Sequence, residues 1–176
     1  VDPLGVAIQA DSALPSADMN GDGLNDPVEL RADGSVRYRL NYGLGNWSDW
    51  RTVTGLSLTT TQRDRADLED LNGDGIADVV IVDDGQIQYA INANGESFES
   101  MVMIGTDDID GATIPDRGTG VTVLFADMNA NGSEDVVWIR PGGVVQYLEL
   151  FPIRPNLLTR IENGIGSVQK IGYTTA

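Results

Sequence analysis

Three nine-residue stretches concentrate the oxygen-bearing side chains of this chain. They read Asp18-Met-Asn20-Gly-Asp22-Gly-Leu24-Asn-Asp26, Asp70-Leu-Asn72-Gly-Asp74-Gly-Ile76-Ala-Asp78 and Asp127-Met-Asn129-Ala-Asn131-Gly-Ser133-Glu-Asp135. Positions 1, 3, 5 and 9 offer carboxylate or amide oxygens, and position 7 offers a backbone carbonyl. Glycine at position 6 (Gly23, Gly75, Gly132) permits the sharp turn that would gather them. A hard divalent cation wants such a set, and calcium takes six to eight oxygens at about 2.3–2.6 Å in flexible geometry. The candidate ligands are Asp18, Asn20, Asp22, Leu24 and Asp26; Asp70, Asn72, Asp74, Ile76 and Asp78; and Asp127, Asn129, Asn131, Ser133 and Asp135. Up to three structural calcium ions are expected. The third loop is expected to bind most weakly, because Asn131 stands where Asp22 and Asp74 carry charge.

Two other readings of these loops are weaker. Asp, Asn and Gly also favour turns for their own sake, but three loops with one shared order ask for more than turn chemistry. An EF-hand needs a bidentate Glu at position 12 and flanking helices. That position holds Glu29, then Ile81, then Trp138, and Pro27 opposes a helix after the first loop.

The elements around the loops repeat with them. The first aspartates lie 52 and 57 residues apart. Each loop runs into an apolar segment at Pro27–Ala32, Val79–Val82 and Val136–Ile139, then a turn at Asp33-Gly34, Asp84-Gly85 and Gly142-Gly143. A Gly-x-(Val/Ile)-(Arg/Gln)-Tyr stretch follows, ending in Tyr38, Tyr89 and Tyr147. These tyrosines fall 20, 19 and 20 residues after the first loop aspartate. Val36, Tyr38, Leu40 and Tyr42 alternate with polar residues, as do Ile87, Tyr89 and Ile91, which is the period of a strand. Val79–Val82 is apolar throughout, as suits a strand covered on both faces. Further strands are expected within Asp49–Thr54 and Ser97–Ile104, and no segment holds a 3.6-residue pattern. The expected fold class is all-β: about three four-stranded antiparallel blades of a partial β-propeller, plus a C-terminal hairpin. The limits are a lead-in at 1–12, blades at 13–62, 63–118 and 119–153, and the hairpin at 154–176. Asp107–Gly120 reads as an inter-blade loop.

Composition removes several function classes. Of 176 residues, 11 are basic and 27 acidic, and there is no cysteine or histidine. A Ser-His-Asp triad, a histidine zinc site, a thiol nucleophile and a disulfide framework are therefore excluded. A net charge of −16 argues against nucleic acid and anionic lipid as partners. No apolar run approaches the ~20 residues that a spanning helix needs, so membrane insertion is not expected. The Val-Asp-Pro-Leu-Gly start shows no signal peptide.

Other residues admit a functional and a plainer reading. Tyr42, Trp47 and Trp50 could form a platform for a sugar ring, but are expected to pack between blades. Trp138 is expected in the core. Asp64, Asp67, Glu69 and Asp70 could serve as a glycosidase pair, yet acids near an outer loop more often face solvent or back up a cation site. Asp107, Asp108 and Asp110 lack the nine-residue order. Arg154, Arg160 and Lys170 are too sparse for a polyanion site. No catalytic constellation is recognised.

The Asp-x-Asn-x-Asp-Gly-x-x-Asp loop followed by a Val-rich strand resembles FG-GAP/VCBS-type repeats, which build calcium-binding propeller blades. The tail Arg154-Pro-Asn-Leu-Leu-Thr-Arg-Ile-Glu-Asn-Gly-Ile-Gly166, with Ile171-Gly-Tyr173 after it, resembles the segment closing the propeller region in the B component of insecticidal Tc toxin complexes and in related SpvB-type and Rhs/YD-repeat toxins. The resemblance implies a secreted, non-enzymatic propeller that docks on a pore-forming component and gates release of a toxic enzyme encoded elsewhere. Implied partners are further blades or domains of a parent protein and that pore-forming component. A lectin-like or integrin-like propeller, with a glycan as partner, is the alternative. Three blades alone do not close a ring.

Overall fold

The computed structural model describes residues 14–109, 113–152 and 157–173. The expected lead-in, Asp110 and Arg154 lie outside the described residues. The first antiparallel sheet joins β1 (Ser16–Ala17), β2 (Asp26–Leu30), β3 (Val36–Tyr38) and β4 (Arg51–Val53) in sequence order. A single-turn helix, α1 (Thr60–Arg63), leads to β5 (Ala66–Glu69), β6 (Asp78–Asp83) and β7 (Gln86–Ala90). After a small ladder of β8 (Asn92–Ala93) with β9 (Ser97–Phe98) comes β10 (Val102–Gly105). The second sheet has the order β10-β7-β6-β5. The third contains β11 (Thr122–Ala126), β12 (Asp135–Arg140) and β13 (Val144–Leu148), and a separate hairpin pairs β14 (Arg160–Glu162) with β15 (Val168–Lys170).

The all-β reading therefore stands, and each acidic loop sits between the first and second strands of a sheet. Turn glycines do what the sequence suggested: Gly34, Gly85, Gly142 and Gly143 all adopt positive φ at the hairpins. Strand residues segregate by period two. Cross-strand partners Val28↔Tyr38, Leu30↔Val36 and Val36↔Val53 share one face of the first sheet. That face packs on Val79, Ile81 and Ala90 of the second sheet. The opposite face of the second sheet, with Val80, Val82 and Ile87, packs on Val136 and Trp138 of the third. Trp138 is buried, as expected.

The sequence expectations differ from the structure in four places. Among the described residues the third sheet has three strands, not four. In the first two blades the fourth strand begins 13 residues after the repeat tyrosine, at Arg51 and Val102. The same spacing after Tyr147 reaches Arg160, but that strand pairs with β15, and no described strand pairs with the outer edge of β13. Ser97–Ile104 is two short strands, β9 and β10, divided at Glu99–Met101. Helix α1 was not anticipated, because one turn carries no periodicity. It is nucleated by a capping box between Thr59 and Gln62. Finally, Tyr42 and Trp47 do not pack between blades; they are 60% and 44% exposed. The turn at 43–46, closed by Tyr42 N–H to the Asn46 carbonyl at 2.9 Å, lifts them off the sheet.

The first two blades are stitched by backbone as well as side chains. Phe98 N–H donates to the Thr54 carbonyl at 2.7 Å, and Thr54 N–H donates to Glu96 at 3.1 Å. Gly55 follows at φ +85, and an added Cβ would collide with the Phe98 carbonyl. Gly43 has a similar φ of +76 and open space around it. Both substitutions carry left-handed strain of about 1–2 kcal/mol, and only one carries the clash. Gly55→Ala is expected to lower the melting temperature by roughly 10 °C, against roughly 3 °C for Gly43→Ala. Equal drops in calorimetry would contradict this account of the seam.

Candidate metal centres

The three loops fold alike, down to individual hydrogen bonds. The position-1 carboxylate accepts from the position-6 glycine N–H: Gly23 to Asp18 at 2.6 Å, Gly75 to Asp70 at 2.8 Å and Gly132 to Asp127 at 2.9 Å. The position-5 side chain accepts from position 7: Leu24 N–H to Asp22 at 2.9 Å, Ile76 N–H to Asp74 at 2.9 Å and Ser133 N–H to Asn131 at 2.8 Å. The turn at position 6 runs at φ +83, +89 and +94, which glycine tolerates without strain. Position 4 is also left-handed, with Ala130 at φ +58 in the third loop.

Position 9 ties each loop to its sheet. Asp26, Asp78 and Asp135 are each 0% exposed at the start of the second strand of their sheets. One carboxylate oxygen accepts from position 2 of the loop: Met19 at 3.2 Å, Leu71 at 3.2 Å and Met128 at 3.0 Å. In the first two blades the other oxygen accepts from the backbone just beyond the third strand, Asn41 N–H at 2.7 Å and Asn92 N–H at 2.8 Å. In the third blade Asp135 Oδ1 is buried without a donor.

Burying so many carboxyls together raises their proton affinity. Desolvation, then repulsion from Asp74 and Asp70, pushes Asp78 up to about 7 despite its hydrogen bonds. Asp26 is raised by burial and by Asp22 and Asp18. Asp70 is raised by burial and Asp74, and Asp135 by burial, Glu149 and Asp127. Beside the second loop, burial and the Glu134 carboxylate raise Glu69 to about 7.

Side-chain positions 1, 3, 5 and 9 thus belong to one hydrogen-bonded net in each loop. Position 7 enters it through its backbone N–H. Among the described residues, no three acidic side chains are gathered tightly enough to hold an ion by carboxylates alone. The donor set is instead mixed carboxylate, amide and carbonyl oxygen, which is the chemistry of a hard cation. The orphaned, buried Asp135 oxygen and the mutual repulsion at Asp78 are what a bound cation would relieve.

Sequence reasoning passed over Asn41 and Asn92, which close the net on the strand side. Their signal was their place three residues after Tyr38 and Tyr89, where the third repeat has Leu150. It also passed over Glu149, which accepts hydrogen bonds from Asn129 and Asn131. The acids weighed for catalysis do not converge. Asp64 pairs with Arg63 at 2.9 Å, Asp67 lies 4.0 Å from Arg117, and Glu69 lies beside the Glu134 carboxylate, which raises its proton affinity. Asp108 accepts from Gly105 N–H at 2.7 Å, capping its own turn. Trp50 lies under Arg37 and Arg39, whose guanidinium carbons are 4.4 Å and 4.8 Å from its ring centre. Arg160 is taken by Glu162.

Comparison with known proteins bears on the fold that carries these loops. Residues 70–138 match the family model of the FG-GAP-like repeat. No curated protein matches the chain. Among solved structures the chain is similar to TcdB2-TccC3 without its hypervariable C-terminal region, at 22% identity and TM-score 0.70, covering 90% of this chain and 7% of that one. It is similar to a chain of the Photorhabdus luminescens Tc holotoxin pore at 23% identity and TM-score 0.67, covering 87% and 7%. It also resembles an Agrocybe aegerita lectin described as recognising non-reducing terminal N-acetylglucosamine, at 24% identity and TM-score 0.53, covering 88% and 36%. The chain spans about 7% of the length of the toxin chains it matches. Residues 70–138 thus match an FG-GAP-like repeat, within an all-β chain that shares the fold of a segment of the TcdB2-TccC3 chain.

Proposed function

We propose that this chain is a non-catalytic, calcium-stabilised segment of a β-propeller in a secreted toxin-complex protein, where it acts as a docking scaffold. The observation that carries the scaffold reading is the exposure of Val145 and Tyr147 on the outer face of the third blade. The repeat tyrosine is 2% exposed in the first blade, where Gly95 of the second blade covers its hydroxyl. In the second blade Tyr89 meets Phe151 edge-on at 5.6 Å. In the third, Tyr147 is 52% exposed, with Val145 on the same face. Position 2 of the loops follows the same course: Met19 and Leu71 are buried, and Met128 is exposed. Among the described residues, the outward faces of the first two blades are covered by the next, while Val145 and Tyr147 of the third stay exposed. A further sheet of the parent polypeptide fits that face, and the likeness to a toxin-complex chain suggests the setting.

Calcium would be held by the side chains at positions 1, 3, 5 and 9 and the carbonyl at position 7. It would supply positive charge to buried carboxylates that repel one another. Secretion suits such loops, because extracellular calcium is abundant. No helix among the described residues is long and apolar enough to cross a membrane.

A lectin is the second reading, favoured by exposed Tyr42 and Trp47 and by the lectin among the similar structures. One pair of measurements separates the two. The chain is expected to bind an apolar-surface dye, and Val145→Asp with Tyr147→Asp is expected to remove most of that signal at unchanged melting temperature. Discrete glycan-array hits lost on Trp47→Ala, with no dye binding at the outer face, would instead make the chain a lectin.

The raised carboxyls set the pH dependence. A carboxyl whose folded pKa lies above its usual value stabilises the fold below that usual value and loses its contribution as pH rises through the folded pKa. With Asp78 and Glu69 both near 7, the melting temperature in chelator is expected to fall between pH 5 and pH 8. Millimolar calcium is expected to raise it most at the upper end. A melting temperature that climbs over this range in chelator, or ignores calcium, would contradict the reading.

A further inference from the structure

The third loop departs from the other two where a strap of chain crosses it. In the first two loops the position-3 amide donates to the position-5 carboxylate, Asn20 to Asp22 and Asn72 to Asp74, both at 3.1 Å. Position 5 of the third loop is Asn131, so that acceptor is gone. Both amides turn instead to one oxygen from outside the motif. Asn129 Nδ2 donates to Glu149 Oε1 at 2.6 Å, and Asn131 Nδ2 donates to the same atom at 2.7 Å. The Phe151 carbonyl accepts from Asn131 Nδ2 at 3.1 Å and from Ser133 Oγ at 2.9 Å. Residues 149–151, directly after β13, thereby lie over the loop. Glu149 restores in space the carboxylate that position 5 has lost in sequence.

A second observation is independent of those bonds. Asp135 is fully buried, yet its Oδ1 has no donor. The matching oxygens of Asp26 and Asp78 take the N–H groups of Asn41 and Asn92. Their counterpart here is Leu150, from which no hydrogen bond reaches the Asp135 carboxylate. A buried anionic oxygen without a donor is expensive unless a positive charge answers it.

We propose that Glu149 joins the mixed carboxylate, amide and carbonyl donors of the third-loop cation, which brings that loop to the carboxylate count of the first two; in none of the three are the carboxylates already drawn round one point, and the ion itself would gather them. This rests on the calcium reading, and it revises the affinity order expected from the motif alone: the third loop is no longer the poorest in charge.

The position-6 glycines report each site separately in an ¹⁵N-resolved NMR titration of the whole chain with calcium chloride. In the unaltered chain Gly132 is expected to titrate alongside Gly75. Glu149→Gln is expected to weaken the Gly132 response about tenfold or more and leave Gly23 and Gly75 unmoved. Adding Asn131→Asp to Glu149→Gln is expected to bring the Gly132 response back, because it returns the carboxylate to position 5. In chelator, Glu149→Gln should keep or raise the melting temperature, since it removes one of three crowded charges; a residue that merely straps the loop would lower it. If Gly23 and Gly75 respond to calcium while Gly132 is indifferent to Glu149→Gln, the inference is overturned and the calcium reading survives. If no glycine responds, both fall.

Discussion

A buried aspartate at the foot of the second strand fastens each of the first two blades together. Asp26 and Asp78 use one oxygen to hold the acidic loop and the other to hold the backbone leaving the third strand. Two hydrogen bonds to a carboxylate are charge-assisted and strong. They are also short of what full burial of the charge requires, which is why Asp78 drifts up to about 7. The loop's other carboxylates worsen the imbalance. Much of the design follows from this tension. The loop must be wound tightly to bring its N–H groups onto position 1, so position 6 must be glycine. The remaining excess of negative charge is what the proposed divalent cation would offset.

The clamp also orders the stack. Because it fixes the loop against the sheet, position 2 is presented to the neighbouring blade: Met19 joins the first inter-blade core and Leu71 the second. Ala77 N–H reaches back to the Asp18 carbonyl at 2.7 Å, and Asn92 Nδ2 donates to the Met19 carbonyl at 3.2 Å, so one blade's loop rests on the next. At the second seam a carboxyl pair, Glu69 with Glu134, replaces the Ala17 and Ala77 of the first. The two seams therefore share a geometry and differ in polarity. The third blade keeps the loop and three strands, and among the described residues no fourth strand pairs with β13 and Val145 and Tyr147 stay exposed.

Much of this was legible in the sequence because it is periodic. The nine-residue loops, the glycine turns and the alternating Val-x-Tyr strands are local patterns whose backbone demands are stated by the residues themselves. The inner strands were marked by unbroken apolar runs such as Val79–Val82. What escaped was set by tertiary contact or by a break in the repeat. Asn41 and Asn92 look like loop residues until the carboxylate across the sheet is seen. Glu149 lies outside the motif and is meaningful only beside Asn131, the substitution it answers. Tyr42 and Trp47 have core composition but sit on a positive-φ turn that carries them into solvent. The pairing of Arg160–Glu162 with β15 rather than β13 depends on competition between two partners, which no single strand's residues decide.

The clamp itself can be tested by hydrogen exchange on Asp78→Asn. An asparagine sets an N–H₂ donor against one of the two N–H groups that the carboxylate satisfies together. Faster exchange at both Leu71 and Asn92, seven residues before and fourteen residues after the substitution, is the predicted result. Unaltered protection at those two amides would contradict the claim that one buried carboxylate joins loop to strand.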